Sequence, residues 1–379
     1  MSCSLRALCL LVPFLLAPHL IRAQESAISE GWKSAQPGWS YEFPRDHGPH
    51  RDFKTEWWYA TGNLSDEMGE QYGFQLTFFR EGIHPGVKPP GSSRFRVMDL
   101  PFAHFAFTDV SRKIFRYYQR SSRGAFGESG FGEPASGGGR IAWMEGWLFE
   151  QLPDGSFHLK SDGLTEKGIE TSVDLHLDQD RPPLIHGHDG ISPKSASPGH
   201  ASHYYSLTRL KASGTIRVDG KVHKVRGLVW FDHEWATNSL EPGEAGWDWS
   251  GLHLSNGDDL MLFRIRNSEG RTVFLSGTVR DSQGAITYLH DVEMIPQGIW
   301  KSPHTGGLYP AGIQVRIPSR QLTLSLTPKI VDQELILSPF AYWEGAVRGE
   351  GKSAHDDVTA EGYLELTGYG GRVIGVNGQ

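Results

Sequence analysis

Cysteine is almost absent: among 379 residues only Cys3 and Cys9 occur. Both lie in a segment that opens with Arg6, runs apolar from Ala7 to Ala17, and reaches small Ala23 before polar Gln24. That core is shorter than the roughly 18 to 20 residues a bilayer span needs, so residues 1–23 read as a cleavable secretory signal. Cleavage would remove both thiols, leaving no disulfide and no thiol nucleophile in the mature chain. Cys9 sits inside the apolar run rather than after it, which argues against a lipidated cysteine. The expectation is a soluble secreted or periplasmic protein with no transmembrane anchor once the signal is gone.

Positive charge is also scarce. Losing Arg6 and Arg22 lowers the basic count from 37 to 35 against 44 acidic residues, a formal charge of −9, which argues against nucleic acid as a partner. No G-x-S-x-G elbow and no phosphate-binding loop occurs, and the glycines at 127–139 do not open a helix, so neither a serine hydrolase nor a nucleotide cofactor is indicated. No cofactor is expected. Helical periodicity is hard to find as well.

What the chain has instead is 46 glycines, 12 tryptophans and many short alternating runs, the mark of an all-β protein. Candidate strands are YGFQLTFFR (72–80), HFAFTDV (104–110), RIAWMEGWLFEQL (140–152), SFHLKS (156–161) and TSVDLHLD (171–178). In the last, Val173, Leu175 and Leu177 alternate with polar residues, as on a half-buried antiparallel strand. The PDGS turn at 153–156 makes a hairpin of its neighbours. Loops are expected at 84–94, 124–140 and 178–203, and the last two are long enough to act as a lid or rim.

An internal echo organises the chain. WWYATGNLSD from Trp57 and WDWSGLHLSN from Trp247 align Trp57 with Trp247, Tyr59 with Trp249, Leu64 with Leu254 and Ser65 with Ser255. A weaker echo pairs WMEGWL (143–148) with YWEGAV (342–347). Two copies of one β unit account for the length, with domains at 24–236 and 237–379 after the signal. Side chains alternate along a strand, so the shared faces, Trp57 with Tyr59 and Trp247 with Trp249, read as barrel core. Where the copies differ, Trp58 stands against Asp248, and function is expected there.

The densest chemistry lies in GLVWFDHEWATN (227–238). As a strand it places Trp230, Asp232 and Glu234 on one face and His233 with Trp235 on the other. Two carboxylates about 7 Å apart beside an indole in a dry pocket would hold a proton near neutral pH, as a general acid requires. The competing expectation is an exposed, solubilising face. His47, His186 and His188 have ligand-like spacings, but make no recognised metal set, and no metal is assigned.

DFKTEWWYATGNL (52–64), FQLTFFR (74–80), WFDHEWATN (230–238), GWDWSGLHLSNGDDLMLFRIR (246–266), YWEGAV and GYLELTGYG (362–370) together resemble the secreted AttH/CrtC-type lipocalin-like proteins. That group includes the carotenoid hydratases (hydroxyneurosporene synthases), and fungal cyclases of the Diels–Alderase type look like distant relatives. The resemblance implies two lipocalin-like antiparallel β-barrel or sandwich domains in tandem, with a ligand cavity near their junction, and an ABC-type export permease as partner. The hydratases carry an aromatic-x-Asp-x-Asn-Trp motif whose Asp protonates an isoprenoid double bond. Here Trp230 takes the aromatic place, where the hydratases have Tyr, Asp232 the acid and Trp235 the last Trp, while Glu234 replaces the Asn. The implied catalytic set is therefore Asp232, Glu234, Trp230 and Trp235.

The ligand-binding expectation falls on Glu56, Trp57, Trp58, Tyr59, Tyr205, Trp247, Asp248 and Trp249. An apolar ligand, a lipid or isoprenoid, bound in an aromatic cavity is the leading expectation. An acid-catalysing hydratase, hydrolase or cyclase is the second, and an accessory factor of an export complex the third.

Overall fold

The computed structural model describes residues 31–370 apart from positions 94, 198, 238–239 and 338–339. The segment read as an export signal, residues 1–23, lies outside the described residues. No helix among them is long and apolar enough to cross a membrane.

Strands dominate the described chain. The first group is β1 (Thr55–Asp66), β2 (Gln71–Gly82), β3 (Asp99–Asp109), β4 (Ile114–Ser121), β5 (Ser129–Phe131), β6 (Gly139–Met144), β7 (Trp147–Gln151), β8 (Phe157–Leu164), β9 (Glu170–Gln179), β10 (Ala201–Val218) and β11 (Lys221–Ala236). These form one antiparallel sheet in the order β4-β3-β2-β1-β11-β10-β9-β8-β7-β6-β5. The second group is β12 (Glu244–Leu254), β13 (Asp259–Asn267), β14 (Thr272–Arg280), β15 (Ile286–Leu289), β16 (Glu293–Gln297), β17 (Gly312–Ile317), β18 (Leu322–Pro328), β19 (Glu334–Leu337), β20 (Phe340–Ser353) and β21 (Asp356–Thr367). Its order is β15-β14-β13-β12-β21-β20-β18-β17-β16, with β19 on β20. Each sheet curls as a half-barrel, in the lipocalin-like manner, around its own apolar interior, Phe74, Phe105, Leu175 and Val229 in the first and Leu252, Leu262, Val315 and Leu324 in the second.

The strand orders repeat. A first strand (β1, β12) is followed by three hairpin strands, and its other edge is taken by the last strand of its unit (β11, β21). The Trp57/Trp247 echo therefore marks equivalent strands. The weaker echo does not: WMEGWL is folded at a turn where Glu145 and Gly146 have φ of 48° and 94°, whereas YWEGAV lies within uninterrupted β20. That turn also splits the expected 140–152 strand into β6 and β7.

The register of β10 on β11 decides the site. Asp219 and Gly220, with φ of 51° and 79°, make the tight turn, and left-handed geometry of this kind suits Asp-Gly. A bulge between Leu207 and Leu210 then shifts the pairing, so that Ser206 stands opposite Asp232 and Tyr204 opposite Glu234.

One expectation is reversed. Trp58, 1% exposed, points into the first half-barrel, stacked 4.6 Å from both Phe131 and His233, with Nε1 donating to the His47 carbonyl at 2.8 Å. Asp248 likewise points into the second, gripped by Arg264 Nε at 2.8 Å and Arg266 Nε at 2.9 Å. The Trp57/Tyr59 and Trp247/Trp249 faces are turned toward the opposing sheet instead. Period-two alternation separates two faces without saying which way the sheet curls.

Candidate active site

Between the sheets lies a cavity of about 100 Å³ bordered by Trp57, Tyr59, Asp232, Glu234, Trp247, Trp249, Glu344 and Glu365, with Lys194, Phe79, Phe102 and Phe263 around them. Both sheets contribute because aromatic side chains of each cover the other: Tyr59, Tyr204 and Trp230 pack with Trp249, Phe263 and Tyr363 in one buried cluster. Pockets of this kind, apolar with a few directed polar groups, are the usual form of small-ligand sites.

Asp232 is 3% exposed, which removes the solubilising-face alternative. Its Oδ1 accepts from Ser206 Oγ at 2.5 Å and Trp230 Nε1 at 2.6 Å, and its Oδ2 from Tyr204 Oη at 2.8 Å. No cation among the described residues pairs with it. Burial pushes its pKa up to about 7, a rise that Glu234 reinforces and the three hydrogen bonds oppose. Glu234, two residues away, has a cation beside it: Lys194 Nζ lies 2.6 Å from its Oε1. The same ammonium stands 4.9 Å over the Tyr204 ring and 4.5 Å over Phe263.

A polar chain runs behind Asp232. Ser206 Oγ is 2.7 Å from His186 Nε2, and His186 Nδ1 is 3.0 Å from Thr278 Oγ1 of β14. The imidazole is fully buried and stacks 4.0 Å from the Tyr204 ring. Burial, with Lys194 and Arg280 nearby, holds it well below its ordinary pKa and therefore neutral.

The second sheet supplies its own acids. Asp232 stands opposite Tyr59 on β1, and Glu365 stands opposite Trp249 on β12, the echoed position. Burial pushes Glu365 up to about 7 too. Glu344, directly across from Glu365, is raised well above its ordinary value by burial and then by that neighbour. Trp247 Nε1 donates to Glu365 Oε2 at 2.9 Å, and Tyr59 Oη donates to Glu344 Oε1.

Of the residues expected from sequence, Asp232, Glu234, Trp57, Tyr59, Trp247 and Trp249 border the cavity. Trp230 stands behind Asp232 as a hydrogen-bond donor. Trp58, Trp235, Tyr205 and Asp248 do not border it, since they belong to the half-barrel interiors. Trp235 stacks 3.6 Å from His50 and Tyr205 Oη meets His47 Nδ1 at 2.7 Å. Glu56 touches the cavity wall, yet its carboxylate is held by Arg80 Nε, His233 Nε2 and the His50 backbone, each at 2.9 Å, and by His50 Nδ1 at 2.8 Å.

The histidines singled out for metal do not converge: His47 meets Tyr205, His186 meets Ser206, and His188 packs 4.4 Å from Tyr288. His50, Glu56 and His233 do converge. Their spacings are those of hydrogen bonds, and Arg80 occupies the second Glu56 oxygen, so the group closes on itself as an ion network.

Lys194, Ser206, Tyr204, Glu344 and Glu365 were not foreseen, and His186 was singled out only for its ligand-like spacing. A signal existed for Glu365, an acid flanked by Leu364 and Leu366 on an apolar strand. None existed for Lys194, whose loop at 178–203 brings it to the cavity rim.

Comparison with known proteins agrees with this architecture. A crystal structure assigned to AttH, from Nitrosomonas europaea, superposes with a TM-score of 0.78 at 31% identity, covering 89% of this chain and 99% of that one. Kievitone hydratase from Nectria haematococca shares the fold with a TM-score of 0.64 at 14% identity, over 89% of this chain and 96% of its own. CghA does so with a TM-score of 0.51 at 12% identity, over 91% and 98%. A search of curated protein sequences found no match. The family model described as AttH-like matches residues 34–369, and over that span the chain belongs to the AttH-like family.

Proposed function

We propose that this protein takes an apolar, lipid-like or isoprenoid substrate into the cavity between its sheets and adds water across a carbon–carbon double bond, with Asp232 as the acid. One observation carries the reading: a carboxyl group in the wall of an aromatic cavity, buried, hydrogen-bonded only by neutral donors, and protonated in part at neutral pH.

The neutral Asp232 carboxyl donates its proton to one alkene carbon, and the π electrons form that C–H bond. The indole faces of Trp57, Trp247 and Trp249 stabilise the positive charge left on the other carbon. Water bonds to that carbon and gives up a proton to the Asp232 carboxylate, which regenerates the acid. Trp230, Ser206 and Tyr204 orient the acid. The fold shared with kievitone hydratase is in keeping with water addition, and the paired Lys194–Glu234 group replaces the neutral Asn of the carotenoid hydratase motif.

The test is mass spectrometry of host lipid extract incubated with the protein in ¹⁸O-labelled water. A product carrying one added labelled water, lost with Asp232→Asn, is the expected result. Extract components retained by both forms without conversion would favour a binding protein instead. Export of the chain, and an ABC-type permease as partner, belong to the same proposal and are checked by fractionating the host and by co-purification.

A further inference from the structure

The cavity wall holds more carboxyl groups than it has cations to pair with them. Lys194 is paired with Glu234, and Arg80 with Glu56 and Asp99. Asp232, Glu344 and Glu365 have no cationic partner among the described residues. Glu344 is 1% exposed and borders the cavity, and Tyr59 donates to its Oε1.

Around these acids stand the rings of Trp57, Trp247 and Trp249. Hard metal ions take six or more oxygen ligands, and indoles offer them nothing. Carboxylates interleaved with aromatic faces are instead the surroundings of an organic cation, whose diffuse charge is attracted to the ring faces and whose methyl groups are covered by them.

We propose that the cavity is a receptor for a positively charged organic group, a quaternary or protonated amine on an apolar body. The inference rests on the cavity assigned above for its location, but its test uses no turnover. If that cavity also hydrates alkenes, such a ligand mimics the cation formed on protonation and acts as an inhibitor.

Proton linkage follows from the same groups. Asp232, Glu344 and Glu365 hold protons near neutral pH because burial disfavours their charge, and an incoming cation reverses that preference. The other groups facing them are Glu56, Glu81, Glu234, Asp248, Tyr59, Tyr204 and Tyr342, with the charges of Lys194 and Arg80. Binding therefore expels protons and strengthens as pH rises through about 7.

The probes are choline and 3,3-dimethylbutan-1-ol, alike in shape with and without the charge. Each is titrated calorimetrically into the intact protein near neutral pH, in two buffers of different ionisation heat. Choline is expected to bind at least about tenfold more tightly than the alcohol, with a heat that depends on the buffer. Glu365→Gln and Glu344→Gln, isosteric and checked by near-ultraviolet circular dichroism, are expected to erase most of that preference. Equal binding of the two probes, no binding of choline at millimolar concentration, or displacement of choline by calcium would each overturn the proposal. If the variants do not fold, the wild-type comparison decides alone. A retained choline preference with no labelled-water product would remove hydration and leave the cation site standing.

Discussion

Tyr59 of the first sheet donates its phenolic hydrogen to Glu344 of the second, across the cavity that separates them. The reciprocal contact is Trp249 Nε1 to Tyr204 Oη at 3.1 Å. Each sheet thus satisfies a buried polar group of the other, and the cavity walls are held at a set distance. Tyr59→Phe leaves Glu344 without its donor and is expected to destabilise the protein by about 1–3 kcal/mol, measured by denaturant unfolding.

Asp232→Asn separates chemistry from packing. Turnover is expected to vanish with ligand uptake retained, and in the wild type the rate should fall as pH rises through about 7, where the acid loses its proton.

Stability responds to the same group. Its folded pKa lies above the unfolded one, so the folded state binds more protons between about 4 and 7, and this contribution is present at low pH and lost as pH rises through that window. Relative to wild type, Asp232→Asn should gain stability on the order of 2–4 kcal/mol between pH 4 and pH 8. A thermal-melting series on both proteins checks it, and a flat difference would place the Asp232 pKa near its ordinary value.

His186 acts through Ser206. With Asp232 ionised, Ser206 donates to it and His186 Nε2–H donates to Ser206; with Asp232 protonated, both bonds can reverse if His186 takes its other tautomer. His186→Phe removes that second arrangement. The expected outcome is a rate about tenfold lower, with the pH limb assigned to Asp232 displaced and KM little changed, as for the loss of one oriented hydrogen bond. His186→Gln should recover part of the rate.

Glu56 is the opposite case, a residue of the fold. Burial alone would raise its pKa, but Arg80, then hydrogen bonds from His233 and His50, hold it well below the ordinary range. Glu56→Gln takes from the buried Arg80 guanidinium one of its two carboxylates, leaving Asp99, and removes the charge that His50 and His233 share, and should cost about 3–5 kcal/mol. Urea unfolding measures it, while labelled-water incorporation per folded molecule should change far less than with Asp232→Asn.

The strands around Phe74, Val173 and Trp230 are legible in the sequence because burial on one face writes itself as alternation, and Asp232 stands out because an acid among Trp230, Phe231 and Trp235 has few other uses. The Trp57/Trp247 echo correctly marks equivalent strands. The sense of the faces is not legible: Trp57 and Trp58 have the same type and neighbouring positions, and only the curl of each sheet sends one toward the cavity and the other into the half-barrel. Nor is the company Asp232 keeps, since Lys194, Ser206, Glu344 and Glu365 arrive from loops and strands up to about 130 residues away, through one bulge and two sheet orders. Local pattern determines which residues can be buried, because it depends on neighbours in the chain; the protonation of a buried acid depends on neighbours in space, and only the tertiary structure supplies those.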